Sequence, residues 1–267
     1  MSEYKIINSD VVNLYHESNF QSEVITQALL WENVEIISKV DNWYKVRQWD
    51  NYESFIYYKF VVDQDIYIDN NLHDDSKWYV VNKRVVNVSS LTGSYNKMIT
   101  FGSVIPIVDK LNEDICVMLT PDNKNYCIHR NDLFKYTREH SFDDIAKYSL
   151  NLLGTPYSWG GKSGFGYDCS GLIQTLYRFH KIFLPRDTKD QINLNILEEV
   201  SSNFIKGDLI FFHEDNKVNH VGMFIDENKF IHSSGYVKIN SINENDDSYD
   251  YKLYSQILGV FRVLNDV

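Results

Sequence analysis

The chain has 267 residues, 43% hydrophobic and 15% aromatic, enough for two or three compact domains and too apolar for a disordered chain. Its net charge of −11, from 37 acidic against 26 basic residues, argues against a nucleic-acid or anionic-lipid partner, which needs clustered Lys and Arg. No apolar run approaches the ~20 residues of a membrane span, and three cysteines without a C-x-x-C or a tight Cys/His cluster support neither a disulfide framework nor a zinc site.

The opening "MSEYKIINSD" lacks a basic n-region and an apolar h-region, so a cytoplasmic location is expected, for a monomer without cofactor or metal. Up to about residue 139, short alternating segments dominate: "VVNLY" (11–15), "NVEIIS" (33–38), "WYKVRQW" (43–49) and "SFIYYKF" (54–60). Polar, turn-like stretches separate them, a pattern that predicts small antiparallel β barrels. A faint repeat runs through the region, "VVNL" at 11–14 returning as "VVNV" at 85–88 and "VEII" at 34–37 as "VIPIV" at 104–108. The offset of 70–74 residues reads as two copies of one β module. Residues 11–61 resemble a bacterial SH3-like domain nearly end to end, and 80–137 resemble it more weakly. The boundaries are therefore 1–63 for the first domain, 64–79 for a connector and 80–137 for the second. Cys116 and Cys127 flank "TPDN", a turn across which they could face each other, and read as strand residues that remain thiols in a reducing compartment.

From Ser141 the pattern switches. "SFDDIAKYSLNLLG" opens on a Ser-x-x-Asp cap, puts Ile145, Tyr148 and Leu152 on one helical face and stops at Gly154. After "TPYSWGG" and "GYDCSG", Ile173, Leu176 and Tyr177 mark a second helix. Strands follow in "DLIFF" (208–212), "HVGMFI" (220–225), "KFIHSS" (229–234) and "GVFRVL" (259–264). A helix carrying Cys169 on a later antiparallel sheet is an α+β domain, here 138–267.

Cys169 stands where the second helix begins, and unpaired N–H groups with the helix dipole favour a thiolate there. Ser170 and Gly171 are small enough to leave room for a substrate. A base must come from elsewhere. Pairing His220 across from His232 gives a three-residue loop near Ile225–Glu227 and puts both rings on one face of the hairpin. His220 then activates the thiol and His232 orients it, as the third member of a triad does. His213, at the end of "DLIFF", is the competing histidine and reads as solvated.

"GTPYSWGGKSGFGYDCSGLIQTLYRFHKIFLPRDTKDQ", "KGDLIFFH", "NHVGMFI" and "FIHSSG", in that order, resemble the NlpC family of papain-like cell-wall cysteine peptidases over about residues 140–265. The resemblance implies Cys169 as nucleophile, His220 as base and His232 as its orienting residue, with Tyr157 and the Cys169 N–H at the oxyanion site. With SH3-like domains ahead of it, the chain is similar to γ-D-glutamyl-diamino-acid endopeptidases, which cut murein peptides carrying a free N-terminal L-Ala. That similarity implies that Arg186, Asp187 and Thr188 line an amine pocket, Asp187 pairing the ammonium. It also implies substrate contacts at Trp159, Asp168 and Ser170, and closure by Glu53 with Tyr57 or Tyr58. Thr188 departs from the Ser of that pattern and narrows the pocket by a methyl group. The alternatives are a remodelling peptidase or amidase acting on intact peptidoglycan, an acyltransferase on the same scaffold, and a non-catalytic wall-binding protein.

Overall fold

The computed structural model describes residues 3–138 and 141–264. It divides into two compact units, one running to Thr137 and including Ser163–Phe165, the other comprising Arg138–Lys162 and the chain from Gly166. The change of pattern placed near residue 139 falls outside the described residues.

In the first unit β1–β7 span Glu3–Ile7, Val11–Tyr15, Val24–Leu29, Asn33–Val40, Trp43–Arg47, Glu53–Tyr57 and Val61–Val62, followed by the short helix α1, Ile66–Asp69. Then β8–β14 span Trp78–Val81, Val85–Ser90, Asn96–Thr100, Val104–Lys110, Ile115–Leu119, Asn125–His129 and Leu133–Lys135. Period-two alternation drives them: in β2 Val12 and Leu14 are buried while Asn13 is exposed, and β9 repeats this with Val86, Asn87 and Val88. The strand orders, β3-β2-β6-β5-β4-β1-β7 and β10-β9-β13-β12-β11-β8-β14, are the same order shifted by seven. A single 3₁₀ turn before the last strand, at Tyr58–Phe60 and again at Arg130–Asp132, recurs at the same place. Trp31, buried and at φ +71°, joins Ile6 and Leu30 in a core with Val81, Ile105 and Met118, and its indole N–H donates to the Leu119 carbonyl at 2.8 Å. Cys116 pairs with Ile128 and Val117 with Cys127, so the two cysteines are one residue out of register and both are free thiols.

In the second unit α2, Phe142–Ser149, starts in a capping box of Ser141 and Asp144, and Gly154 turns the chain at φ +76°. The short strands β15 (Lys162–Ser163) and β16 (Gly166–Tyr167) precede α3, Cys169–Arg178, and a single turn, α4, covers Thr188–Gln191. The strands β17–β22 are Leu197–Glu199, Leu209–Glu214, Lys217–Phe224, Lys229–Ser234, Tyr236–Ser241 and Ile257–Val263, with α5, Tyr251–Tyr254, before the last. They form one antiparallel sheet ordered β17-β22-β18-β19-β20-β21, with α3 packed on β19 and β20. Among the described residues no helix is long and apolar enough to cross a membrane.

The β19–β20 hairpin corrects the expected register. His232 lies opposite Gly222, not opposite His220, and the loop is Asp226–Asn228, one residue later than expected. The Asp226 carboxylate sets that loop by accepting from the N–H groups of Asn228 and Lys229. Parity survives the shift, because 220 and 222 point the same way, so the two histidines become diagonal neighbours on one face.

Candidate active site

The start of α3 is built by Asp168. As N-cap it accepts from the Gly171 N–H at 2.7 Å, and its second oxygen accepts from the Gly160 N–H at 3.0 Å. Both oxygens also receive the guanidinium of Arg186, which is 2% exposed and donates in addition to Ser170 Oγ at 2.9 Å. One buried carboxylate thus ties together the loop after α2, the head of α3 and the segment before α4. Asp168, Ser170 and Arg186, expected as substrate contacts and pocket lining, are hydrogen-bonded to one another. Gly171 has a similar explanation: a Cβ there would meet the Gly161 carbonyl at 2.2 Å, so its smallness admits main chain, not substrate.

Cys169 is the first residue of α3, and its N–H is one of the helix-start donors without a carbonyl one turn earlier. Its Sγ lies 3.8 Å from Thr188 Oγ1 and 3.9 Å from the main-chain oxygen of Asn219, the residue before His220 on β19. Thr188, expected to narrow a pocket, has its hydroxyl on the sulfur. Burial pushes the thiol pKa up and the Asp168 carboxylate adds to this, against the lowering effects of Thr188, the Ser170 N–H and Arg186. The helix-start effect expected to favour a thiolate is thus set against a larger opposing one from burial.

His220 Nε2 is 2.7 Å from His232 Nδ1, and His232 Nε2 is 2.8 Å from Asn240 Oδ1 on β21. Phe212 packs tilted against His220 and Phe230 tilted against His232. Burial, then the charges of His232 and Lys238, hold His220 down to about 3. Burial also lowers His232 to about 4, against the opposing pull of Asn240 and Asp250. Both rings are therefore neutral at pH 7, and a neutral imidazole is what a general base requires. Asn240 was absent from the sequence reading. Its signal lay in "HSSGYVKIN": Gly235, at φ +74°, turns β20 into β21 with His232 opposite Lys238, which puts residue 240 on the histidine face.

Tyr157, half-buried, bridges to Tyr167 and donates its N–H to the Gly235 carbonyl. Burial, with Cys169 and Asp168 nearby, pushes its hydroxyl up to about 12, so it remains a donor. Trp159 is 64% exposed on the loop before Gly160. Asp187 precedes Thr188 as N-cap of α4, with Lys189 Nζ 3.8 Å from its carboxylate. His213 makes no hydrogen bond through Nδ1 and does not join the histidine pair. In the first unit, Glu53, expected to help close the pocket, is held between Lys45 at 2.7 Å and Arg47 at 2.8 Å. Tyr57 and Tyr58 belong to an aromatic group with Phe20 and Trp43.

Residues 154–257 match the NlpC/P60 family model and residues 10–62 the bacterial SH3 domain model. A probable endopeptidase, an NlpC homolog of Haemophilus influenzae, is 37% identical over 141 residues, 52% of this chain and 73% of that protein. A gamma-D-glutamyl-L-lysine dipeptidyl-peptidase of Bacillus cereus is 28% identical over 226 residues, 78% of this chain and 66% of that relative's length. The crystal structure of an NlpC/P60 family protein from Bacillus cereus superposes with a TM-score of 0.83 at 22% identity, covering 98% of this chain and 99% of that one.

Proposed function

Given that this chain belongs to the NlpC/P60 family and is a cysteine peptidase, we propose that it hydrolyses the bond between γ-D-Glu and the diamino acid in peptidoglycan-derived peptides with a free N-terminal L-Ala. One observation carries the reading: the head of α3 holds the Cys169 thiol against the main chain of Asn219, beside a neutral His220 that is backed by His232.

Cys169 is the nucleophile and His220 its base. The thiol proton passes to His220 as sulfur attacks the γ-carbonyl carbon of D-Glu. His220 then returns the proton to the departing amine of the diamino acid, leaving a thioester that water hydrolyses by the same base. The Cys169 N–H and the Tyr157 hydroxyl supply the oxyanion donors, each of a kind whose removal costs about 10²–10³-fold in kcat. His232 keeps His220 oriented. Asp187, next to Thr188 on the sulfur, takes the substrate ammonium and Trp159 covers the peptide, while Asp168 and Arg186 hold this region in shape. A carboxylate that demands a free amine rejects intact wall, where acylation removes that charge, and directs the enzyme to turnover fragments in the cytoplasm.

The second seven-stranded sheet, sharing the strand order of the first, is a second SH3-like domain over 80–137, joined to the first over 1–63 by the connector 64–79. The test of the function is mass spectrometry of L-Ala-γ-D-Glu-L-Lys and its diaminopimelate counterpart, each beside an N-acetylated copy, with the protein and with Cys169→Ala. Release of L-Ala-D-Glu from the free-amine peptides alone, lost in the variant, is the expected result. Equal cleavage of acetylated peptides would move the activity to wall remodelling, and no cleavage of any would sink the assignment.

A further inference from the structure

The histidine pair does not end at His232. The Asn240 amide lies between His232 and the main-chain carbonyl of Ser248, with Nδ2 donating to that oxygen at 2.6 Å and Oδ1 facing His232 Nε2 at 2.8 Å. A carbonyl oxygen only accepts, so the Asn240 atom beside Ser248 must be the NH₂ and the atom beside His232 the oxygen. That oxygen in turn requires a proton on His232 Nε2. His232 Nδ1 is then a bare acceptor, and the hydrogen bond at 2.7 Å requires the proton on His220 Nε2. Each link is determined by the one before it, starting from an atom with a single possible role.

We infer that Asn240 is a positioning residue that sets the tautomer of both histidines, leaving His220 Nδ1 as the basic nitrogen. The inference rests on the cysteine-peptidase reading of the site, with His220 as base. An amide suits position 240 because it accepts on one side and donates on the other. Aspartate keeps the acceptor but sets an oxygen against the Ser248 carbonyl, and leucine keeps the size with neither function. Ser248 is held in turn, its N–H and hydroxyl donating to Asp246 at 2.9 and 2.6 Å, while Lys229 Nζ lies 2.9 Å from that carboxylate. The tautomer is thus anchored in the loop between β21 and α5. The charged and titratable groups around the pair are Lys238 on β21, Asp250 capping α5, and the Cys169 thiol against the main chain beside His220. Lys238 opposes protonation of both rings and Asp250 favours that of His232, so a new anion at 240 shifts the pair toward the protonated form.

The test uses the full chain labelled with ¹⁵N-histidine, ring nitrogens assigned through single-histidine variants, together with pH profiles of kcat/KM on the free-amine peptide. In the unsubstituted protein both rings should carry their proton on Nε2. Asn240→Leu should give mixed tautomers and lower kcat about 10–100-fold with little change in KM, as loss of an orienting outer partner does elsewhere. Asn240→Asp should recover part of that rate and move the acid limb of kcat/KM to higher pH by roughly one unit. A proton on His220 Nδ1, or an Asn240→Leu protein with native circular dichroism, unchanged tautomers and an unchanged profile, would overturn the assignment. Should Asn240→Leu fail to fold, the ring spectra of the unsubstituted protein and the acid limb of Asn240→Asp decide it. Should no peptide be cleaved, the peptidase reading fails while the ring spectra still report the tautomers.

Discussion

At Cys169 two effects oppose each other. A helix start and the Thr188 hydroxyl favour the thiolate, while burial and Asp168 oppose it, and burial dominates. With His220 held at about 3, a thiol beside a neutral imidazole is the resting pair to be expected if Cys169 and His220 act as proposed. Alkylation of Cys169 by iodoacetamide in the substrate-free protein should therefore rise steadily with pH between pH 7 and 9, as expected of a thiol that is not preformed as thiolate. A rate that stays flat down to about pH 5 would indicate a preformed ion pair instead. The histidines also make stability depend on pH. Above the usual value near 6.5 they are neutral whether the chain is folded or not. As pH falls below that, the unfolded chain takes up protons that folded His232 and His220 refuse until about 4 and about 3. Stability is thus full above pH 6.5 and falls toward pH 3, by about 1.4 kcal/mol per pH unit for each proton taken up. Urea titrations at pH 7, 6 and 5 should show this slope, and His232→Phe should flatten it.

At the scale of elements, the head of α3 depends on its cap. Asp168 was legible as the residue ahead of the helix, but its partners Gly160 and Arg186 lie 8 and 18 positions away along the chain. Asp168→Asn keeps the shape but only one of the two N–H contacts, sets its NH₂ against the other N–H and removes the carboxylate charge from the buried Arg186 guanidinium. Breaking such a pair costs about 3–5 kcal/mol. The midpoint of urea unfolding should fall accordingly, and a loss under about 1 kcal/mol would mean the pair contributes little to stability. The β19–β20 hairpin shows the limit of pattern reading at this scale. Alternation placed both histidines on one face, but the register was set by the Asp226 carboxylate on Asn228 and Lys229, a turn detail that alternation does not encode.

At the scale of the whole molecule, the first unit is a repeated strand order joined through a shared core. Trp31 carries that joint, its ring among residues of both sheets and its N–H on the Leu119 carbonyl. Trp31→Ala should cost about 3–5 kcal/mol through cavity formation and an unpaired carbonyl. If the two sheets are coupled in this way, tryptophan fluorescence and circular dichroism should report one broadened or lowered transition for the unit, and an unchanged melt would argue against the coupling. Nothing in the sequence around Trp31 marks this role, because a shared core is made by residues far apart along the chain.

The sequence by itself determined a mostly sheet architecture with few helices, the SH3-like opening, the helix that begins at Cys169 and the family of the second unit. These rest on local periodicity, caps and short motifs that a chain carries wherever it folds. Only the tertiary structure decided that Asp168, Ser170 and Arg186 serve one another, that Glu53 is occupied by two cations, and that Asn240 completes the histidine chain. Those outcomes depend on which distant groups share a buried space, where desolvation and hydrogen-bond geometry outweigh the preferences of the local segment.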